Sequence, residues 1–474
     1  MEKTESKWYE KAAGKKQHKT ENTKKIQLKN ESKIQHKKEE VSEEIKKSSK
    51  NSKVSKIDSS KNKQTESKKS FNGKVNSKVK IEKLFDTSFI PEDAVQILNN
   101  FDEIAGEVQL LSNKQKTILP SQIKKLSHQL TDDRQSRRLG YMNEASLISA
   151  YVNYFMWWNL VRLTRLFSNF PKDAIQLEDG DFCLDLGSGT LTVVISLWLS
   201  RPELRSKKLT FYCLDLSQNA LSIGEELFYS IAAKTIRQNE EPWKIIRVKG
   251  PFGTKIKNKP KLITSANIFN ELAQNLEMPL DYQAKKYTKD IESYFNSKDK
   301  NQTVLIIEPG DPHSSRLVSL MRDSLIRKNF FPLLPCPHIH SCPMEGRTTS
   351  NVSGKWCNFA FNTENCPPKL LKLSEKANLT KERAGLSFVL AKKQSEIISD
   401  DNDKKLKLRV ASDFIALPEL KKSGYYCCSK IGLVLAIDKS NVRPQNGELL
   451  EIPFTKKVED LQVDKKSGAL IVEI

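Results

Sequence analysis

Arginine is absent from the first 80 residues, although that stretch holds 24 lysines against 11 acidic residues and supplies +13 of the chain's net charge of +21. Aromatic and branched aliphatic residues are scarce there too, so the segment cannot bury enough apolar surface to offset its ordering entropy. Residues 1–82 are therefore expected to be a disordered basic tail. It is either a solvated extension or an electrostatic arm for polyanionic RNA. The missing arginines and the many acids argue against a mitochondrial presequence. No apolar run reaches the length of a membrane span, and a signal-peptide core is lacking. These absences point to a reducing, cytoplasmic setting of bacterial type with no membrane partner. There cysteines ligate metals more readily than they pair as disulfides.

Hydrophobic residues make up 38% of the 474, and the shortfall lies in the tail, which leaves room for two or three domains behind it. From about Lys83 to residue 170, apolar residues recur at helical spacing. One segment there, SLISAYVNYFMWWNLVRLTRLFSNF, is apolar around most of its circumference. Its Tyr151, Tyr154, Phe155, Trp157 and Trp158 read more readily as core than as base-stacking residues. After Pro171 the pattern changes to apolar strand, turn and helix, repeated. FCLDLGSGT, LTFYCLDLS, WKIIRVKG, KLITSAN and TVLIIEPG supply the strands. This alternation predicts an α/β domain over 171–394 built on a mostly parallel sheet, interrupted by a cysteine-rich insertion at 336–380. GLSFVLAKK reads as a late strand returning to that sheet. Beyond a polar linker, residues 405–474 predict a small β-domain.

Asp185, Gly187, Ser188 and Gly189 form D-L-G-S-G at the end of an apolar strand. A glycine turn there lets the backbone approach a ligand, and the following helix presents free N–H groups. The third glycine of the dinucleotide fingerprint is missing, which disfavours a pyrophosphate. Asp215, at the end of the next strand, is placed to accept two ribose hydroxyls. Together these features look like the S-adenosylmethionine pocket of class I methyltransferases. Asn267, Asn270 and Glu271 in SANIFNEL are the polar candidates facing a substrate, with helix capping by Asn267 an equal alternative. No N-P-P-Y motif occurs and no cysteine follows that strand, so the catalytic group is unassigned.

Four of the eight cysteines fall between residues 336 and 366. Cys336 and Cys342 are each followed by proline, which favours an irregular loop, and Cys357 is flanked by bulky apolar residues. Thiolates gathered in this way ligate soft metals or iron–sulfur clusters. Cys366, Cys427, Cys428, His338 and His340 are the candidates for a fourth ligand. Zinc is the rival, although its paired C-x2-C knuckles are absent. Cys183 and Cys213 lie in apolar strands and read as core.

The motifs D-L-G-S-G (185–189), S-A-N-I-F-N-E-L (265–272), E-P-G (308–310), P-C-P-H (335–338), C-P-M (342–344) and W-C-N-F (356–359) occur in order over roughly residues 135–435. In this the chain resembles the ribosome-associated methyltransferase-like proteins of bacteria and mitochondria. The resemblance implies a class I methyltransferase Rossmann-like sheet and binding to the small ribosomal subunit and its rRNA during assembly. It also implies a [4Fe-4S] cluster on Cys336, Cys342, Cys357 and Cys428, the last chosen because Gly432 lies four positions on. Cys427 would point to the opposite face of its strand. The expected protein is a monomer with an S-adenosylmethionine site at Asp185, Gly187, Ser188, Gly189, Asp215 and Asn267. It either methylates rRNA or acts as an assembly chaperone with the same fold and cluster.

Overall fold

The structure, a computed structural model, describes residues 79–131, 142, 144–238, 240–273, 278–346, 354–394 and 404–474. The chain divides into units Met1–Gly73 and Lys74–Ile474. The first unit, and with it nearly all of the expected basic tail, lies outside the described residues.

A strand-turn-helix sequence after residue 180 forms the central sheet. Strands β2 (Phe182–Leu186), β3 (Thr210–Asp215), β4 (Lys244–Lys249), β5 (Leu262–Ala266) and β6 (Thr303–Glu308) run parallel. The reversed β9 (Arg383–Lys393) separates β6 from β7 (Phe330–Leu334), and β8 (Phe359–Asn362) pairs with β9 off the main path. The order is β4-β3-β2-β5-β6-β9-β7. A parallel sheet reversing direction outward from its first strand, with one late antiparallel strand, is the mixed α/β arrangement expected of a class I methyltransferase-like domain. Ligands in such sheets bind at the carboxyl ends of the strands where the order reverses, here β2 and its neighbours.

Both faces of the sheet are covered. The helices on one side are α1 (Glu92–Asn99), α2 (Phe101–Val108), α3 (Asn113–Thr131), α4 (Ala145–Ala150), α5 (Trp157–Ser168), α6 (Thr192–Ser200), α7 (Pro202–Arg205) and α8 (Gln218–Thr235). They share one continuous core with that face of the sheet. The expected helical region is thus packed onto the sheet: Trp157 donates to Leu98 O at 2.7 Å, and buried Arg205 pairs with Asp93 at 2.5 Å. α9 (Phe269–Ala273), α10 (Leu280–Tyr294) and α11 (Pro312–Ile326) cover the opposite face. α12 (Pro368–Lys376) lies in the cysteine-rich insertion.

Helix α4 runs into α5 through a π-helical turn, Tyr151–Met156. The wider turn is uncommon and is frequently found at functional sites. Of the aromatics read as core, Tyr154, Trp157 and Trp158 are buried, and Tyr151, Phe155 and Trp158 line a cavity.

The C-terminal sheet has the order β1-β14-β10-β12-β13-β15, with β11 pairing β12. Its strands are β10 (Lys405–Val410), β11 (Ile415–Leu417), β12 (Lys422–Ser429), β13 (Gly432–Asp438), β14 (Leu449–Pro453) and β15 (Leu470–Glu473). β1 (Lys80–Glu82), from the far end of the chain, pairs antiparallel with β14. This sheet has its own apolar core, and Arg409 Nε donates to Pro335 O at 2.8 Å to tie it to the cysteine loop.

Candidate functional site

A cavity of about 530 Å³ opens at the carboxyl ends of the parallel strands, within the size range of small-molecule and cofactor sites. Gly187 (φ 63°) and Gly189 (φ 49°) both sit in the left-handed region that glycine adopts without strain. A Cβ on Gly187 would stand 2.9 Å from Ile268, while one on Gly189 would meet nothing within 4 Å. The turn is thus pressed against the β5 loop on one side and open on the other. Helix α8 crosses it closely at Gly224, where a Cβ would approach the Thr190 backbone to 2.5 Å.

Asp215 faces this turn. Its Oδ2 accepts from Gly189 N at 2.9 Å and its Oδ1 from Ser217 N at 2.8 Å. Each carboxylate oxygen keeps a further lone pair for a ligand hydroxyl. Burial raises the Asp215 pKa, opposed by these backbone amides. Gly187, Gly189, Asp215 and Asn267 line the cavity.

Asp185 and Ser188 lie beneath it. Asp185 is fully buried, accepting from Thr264 Oγ1 at 2.6 Å through Oδ1, while its Oδ2 has no partner. Burial pushes its pKa up to about 7. Ser188 Oγ donates to Asp185 O at 2.8 Å, and Ser188 N donates to Leu214 O at 3.0 Å, tying the turn to β3. Both residues shape the cradle from below.

Asn267 is in the left-handed conformation (φ 58°), and its N–H donates to Ile307 O at 2.9 Å. Capping of α9 falls instead to Glu308 of the E-P-G motif. Its carboxylate accepts from Phe269 N at 2.8 Å and Asn270 N at 3.2 Å. Burial lifts the Glu308 pKa to about 8, against the pull of those two amides. Asn270, Glu271 and Pro309 complete this wall.

The second cluster joins the cysteine loop to the β-domain. Cys336, Cys342, Cys357 and Cys428 come within electrostatic range of one another. Burial raises the thiol pKa of Cys342 to about 11 and those of Cys357 and Cys428 well above the usual range, and the neighbouring sulfurs add to each shift. Strand alternation separates the two adjacent candidates. Cys428 joins the core shared with the main sheet, while Cys427 packs inside the β-domain's own core. Cys366 is buried elsewhere, beside Arg165.

His338 stands with Nε2 3.1 Å from Cys428 Sγ. Burial, then the Arg322 charge, depresses its pKa to about 3, so the imidazole is neutral. Arg322 donates to His340 O at 2.5 Å and His338 O at 2.6 Å. Arg409 donates to Gly447 O at 2.8 Å, in addition to its bond to Pro335 O. Burial opposes the Arg322 charge, yet Cys336, Asp323 and Cys342 outweigh it and raise its pKa. Burial dominates at Arg409 and lowers its pKa to about 10, against the pull of Cys336.

The donor set fits a thiolate-bound metal centre. Three sulfurs from the connection between β7 and β8 and one from β12 lie within electrostatic range of one another, two guanidiniums offset their charge, and Ser319 Oγ accepts from Cys342 at 3.6 Å. Among the described residues, no three His, Cys, Asp or Glu side chains are already drawn together tightly enough to hold a metal ion.

A family profile described as mitochondrial small ribosomal subunit Rsm22 matches residues 149–411, more than half of the chain and all of the elements just described from the π turn to β10. The chain belongs to the Rsm22 family. No curated protein matches this Rsm22-family sequence significantly. Among solved structures it is similar to a protein of Listeria monocytogenes assigned to the class I S-adenosylmethionine-dependent methyltransferases (11% identity, 66% of this chain and 90% of that one, TM-score 0.28). It is also similar to the precorrin-6y C5,15-methyltransferase of Geobacter metallireducens (11%, 47% and 85%, TM-score 0.27). A third is the geranyl diphosphate C-methyltransferase of Streptomyces coelicolor (8%, 46% and 74%, TM-score 0.26). Overlaps this partial say nothing of activity, and the strand order above is what defines the fold.

Sequence reasoning named the glycine turn, Asp215 and the cysteines, read Tyr151 and Phe155 as core, and missed Arg162 and Lys381; all four of these last residues line the cavity. It also missed Arg322 and Arg409. The only local signal for any of these was the aromatic density before Trp157.

Proposed function

We propose that this chain is an S-adenosylmethionine-binding, iron–sulfur-containing factor acting on the small ribosomal subunit, with methylation of its rRNA as the chemistry. Membership of a family described by the small ribosomal subunit supports the partner. The observation that carries the cofactor reading is the cradle itself: an open glycine turn whose backbone is fixed by a carboxylate with lone pairs to spare.

In this reading Gly187 and Gly189 admit the methionine portion, Asp215 holds the ribose hydroxyls and Asn267 closes the cradle from the β5 side. The cofactor supplies a methyl group on a sulfonium. The chain's own residues orient the acceptor against it and exclude water, positioning being the main source of rate in such a displacement. Cys336, Cys342, Cys357 and Cys428 would hold a [4Fe-4S] cluster, which would tie the β-domain to the cysteine loop. Arg322 and Arg409 balance the thiolate charge, and His338 directs its imidazole at the Cys428 sulfur.

The second reading, an assembly chaperone with the same fold and cluster, is favoured by the absence of N-P-P-Y and of a cysteine after β5. Transfer of labelled methyl groups to immature small subunits separates the two. Label incorporated into rRNA, and lost in Asp215→Ala, supports the enzyme. Tight subunit binding without incorporation leaves the chaperone.

A further inference from the structure

The cavity has two chemically different ends. The cradle sits over β4, β3, β2 and β5. On the β5, β6 and β9 side stand Asn270, Glu271, Pro309, Lys381 and Arg162, with Tyr151 and Phe155 on the π turn beside them. The Tyr151 and Phe155 rings lie nearly parallel, 21° apart with centroids at 6.1 Å.

Polar groups at this end are left wanting partners. Asn270 is only 6% exposed and its Oδ1 accepts nothing. Arg162 donates to Gly385 O at 2.6 Å and to Asn159 Oδ1, while its buried Nε has no acceptor. Lys381 forms no ion pair among the described residues. Its ammonium rests 5.3 Å from the Trp158 ring centroid and 5.5 Å from that of Tyr154. Glu271 also lines this wall, but neither Arg162 nor Lys381 forms an ion pair with it among the described residues, and two adjacent cations without a bonded carboxylate call for an anion. An unpartnered amide oxygen beside a flat aromatic wall calls for a planar group with an N–H.

We infer that this end is the seat of a single unstacked RNA base and its phosphate. Tyr151 and Phe155 offer the stacking surface, Asn270 Oδ1 accepts from an exocyclic amino group, and Arg162 with Lys381 takes the backbone phosphate. Enzymes that act on a base lift it from its stack into such a pocket, and each stacked base contributes appreciably to single-strand binding. This deepens the proposed function by naming what the cavity accepts, and it rests on that reading for the place of the cofactor.

The test uses the full chain, S-adenosylhomocysteine and a pentaribonucleotide with 2-aminopurine at its centre, whose fluorescence falls on stacking. Saturable quenching is expected. Lys381→Ala should weaken it about tenfold, the loss of one charge-assisted contact, with S-adenosylhomocysteine affinity unchanged as proof of folding. Competition by unlabelled pentamers should favour adenine, cytosine or guanine over uracil at the centre, and Asn270→Ala should abolish that preference. Oligonucleotide bound by anisotropy but unquenched overturns the inference, since the base then stays outside. So does quenching indifferent to Lys381 and Asn270. Lys381-dependent quenching without any S-adenosylhomocysteine binding would leave this seat standing and remove the cofactor reading instead.

Discussion

Replacing Asp185 with asparagine should stabilise the protein at pH 8 and leave it nearly unchanged at pH 4. Asp185 is fully buried and one of its oxygens has no donor, so its charged form is disfavoured in the native state. Its pKa rises from 3.8 to about 7. Below pH 4 both folded and unfolded chains hold the proton, and Asp185 adds no pH dependence. Between about 4 and 7 the unfolded chain releases the proton while the folded one keeps it, so stability falls as pH rises. Above that window both are ionised and the loss is complete. About three pKa units at ~1.4 kcal/mol each come to about 4 kcal/mol, as an upper bound. Asparagine keeps the acceptor for Thr264 without the charge. Urea midpoints of wild type and Asp185→Asn at matched pH between 5 and 8 measure the difference. Glu308 imposes a slope of the same sign on both proteins and cancels in the comparison. An Asp185→Asn advantage that does not grow with pH would refute the reasoning.

Three other changes probe the two sites. Gly187→Ala places a Cβ 2.9 Å from Ile268 at φ 63° and should destabilise the fold by about 1–3 kcal/mol while weakening S-adenosylhomocysteine binding, both read by calorimetry. Asp215→Ala removes the acceptor from Gly189 N and Ser217 N. It should lower cofactor affinity by about tenfold or more with the circular dichroism spectrum unchanged. Arg322→Gln leaves a sulfur-rich site short of one counter-charge. Iron should then pass to a chelator about tenfold faster or more, as followed by absorbance.

Much of the sheet was legible because each parallel strand is an apolar run closed by a turn, a pattern local to a few residues. The glycine turn and Asp215 were legible for the same reason. Cys428 was separable from Cys427 because adjacent strand residues face opposite ways, and the two do enter different cores. What escaped depends on distance along the chain. Arg162 meets Gly385 and Lys381 meets Tyr154 across more than 200 residues, and no local pattern marks either. Arg322 and Arg409 carry charges that read as surface, yet each is about 97% buried or more. Apart from Asp323 beside Arg322, their hydrogen-bond partners are backbone carbonyls, which a sequence does not display. β1 was missed because three residues carry no periodicity, and only β14 makes them a strand. Glu308 was noted as part of a motif, but its work at the N-terminus of α9 became visible only once β6 was set beside β5.

The most direct test of the account is the metal content of anaerobically purified protein, wild type and Cys428→Ser, with iron, sulfide, zinc and the visible spectrum measured together. About four irons with matching sulfide per chain, lost in Cys428→Ser, is the predicted result. One zinc without sulfide, or a full complement of iron retained in Cys428→Ser, would contradict it.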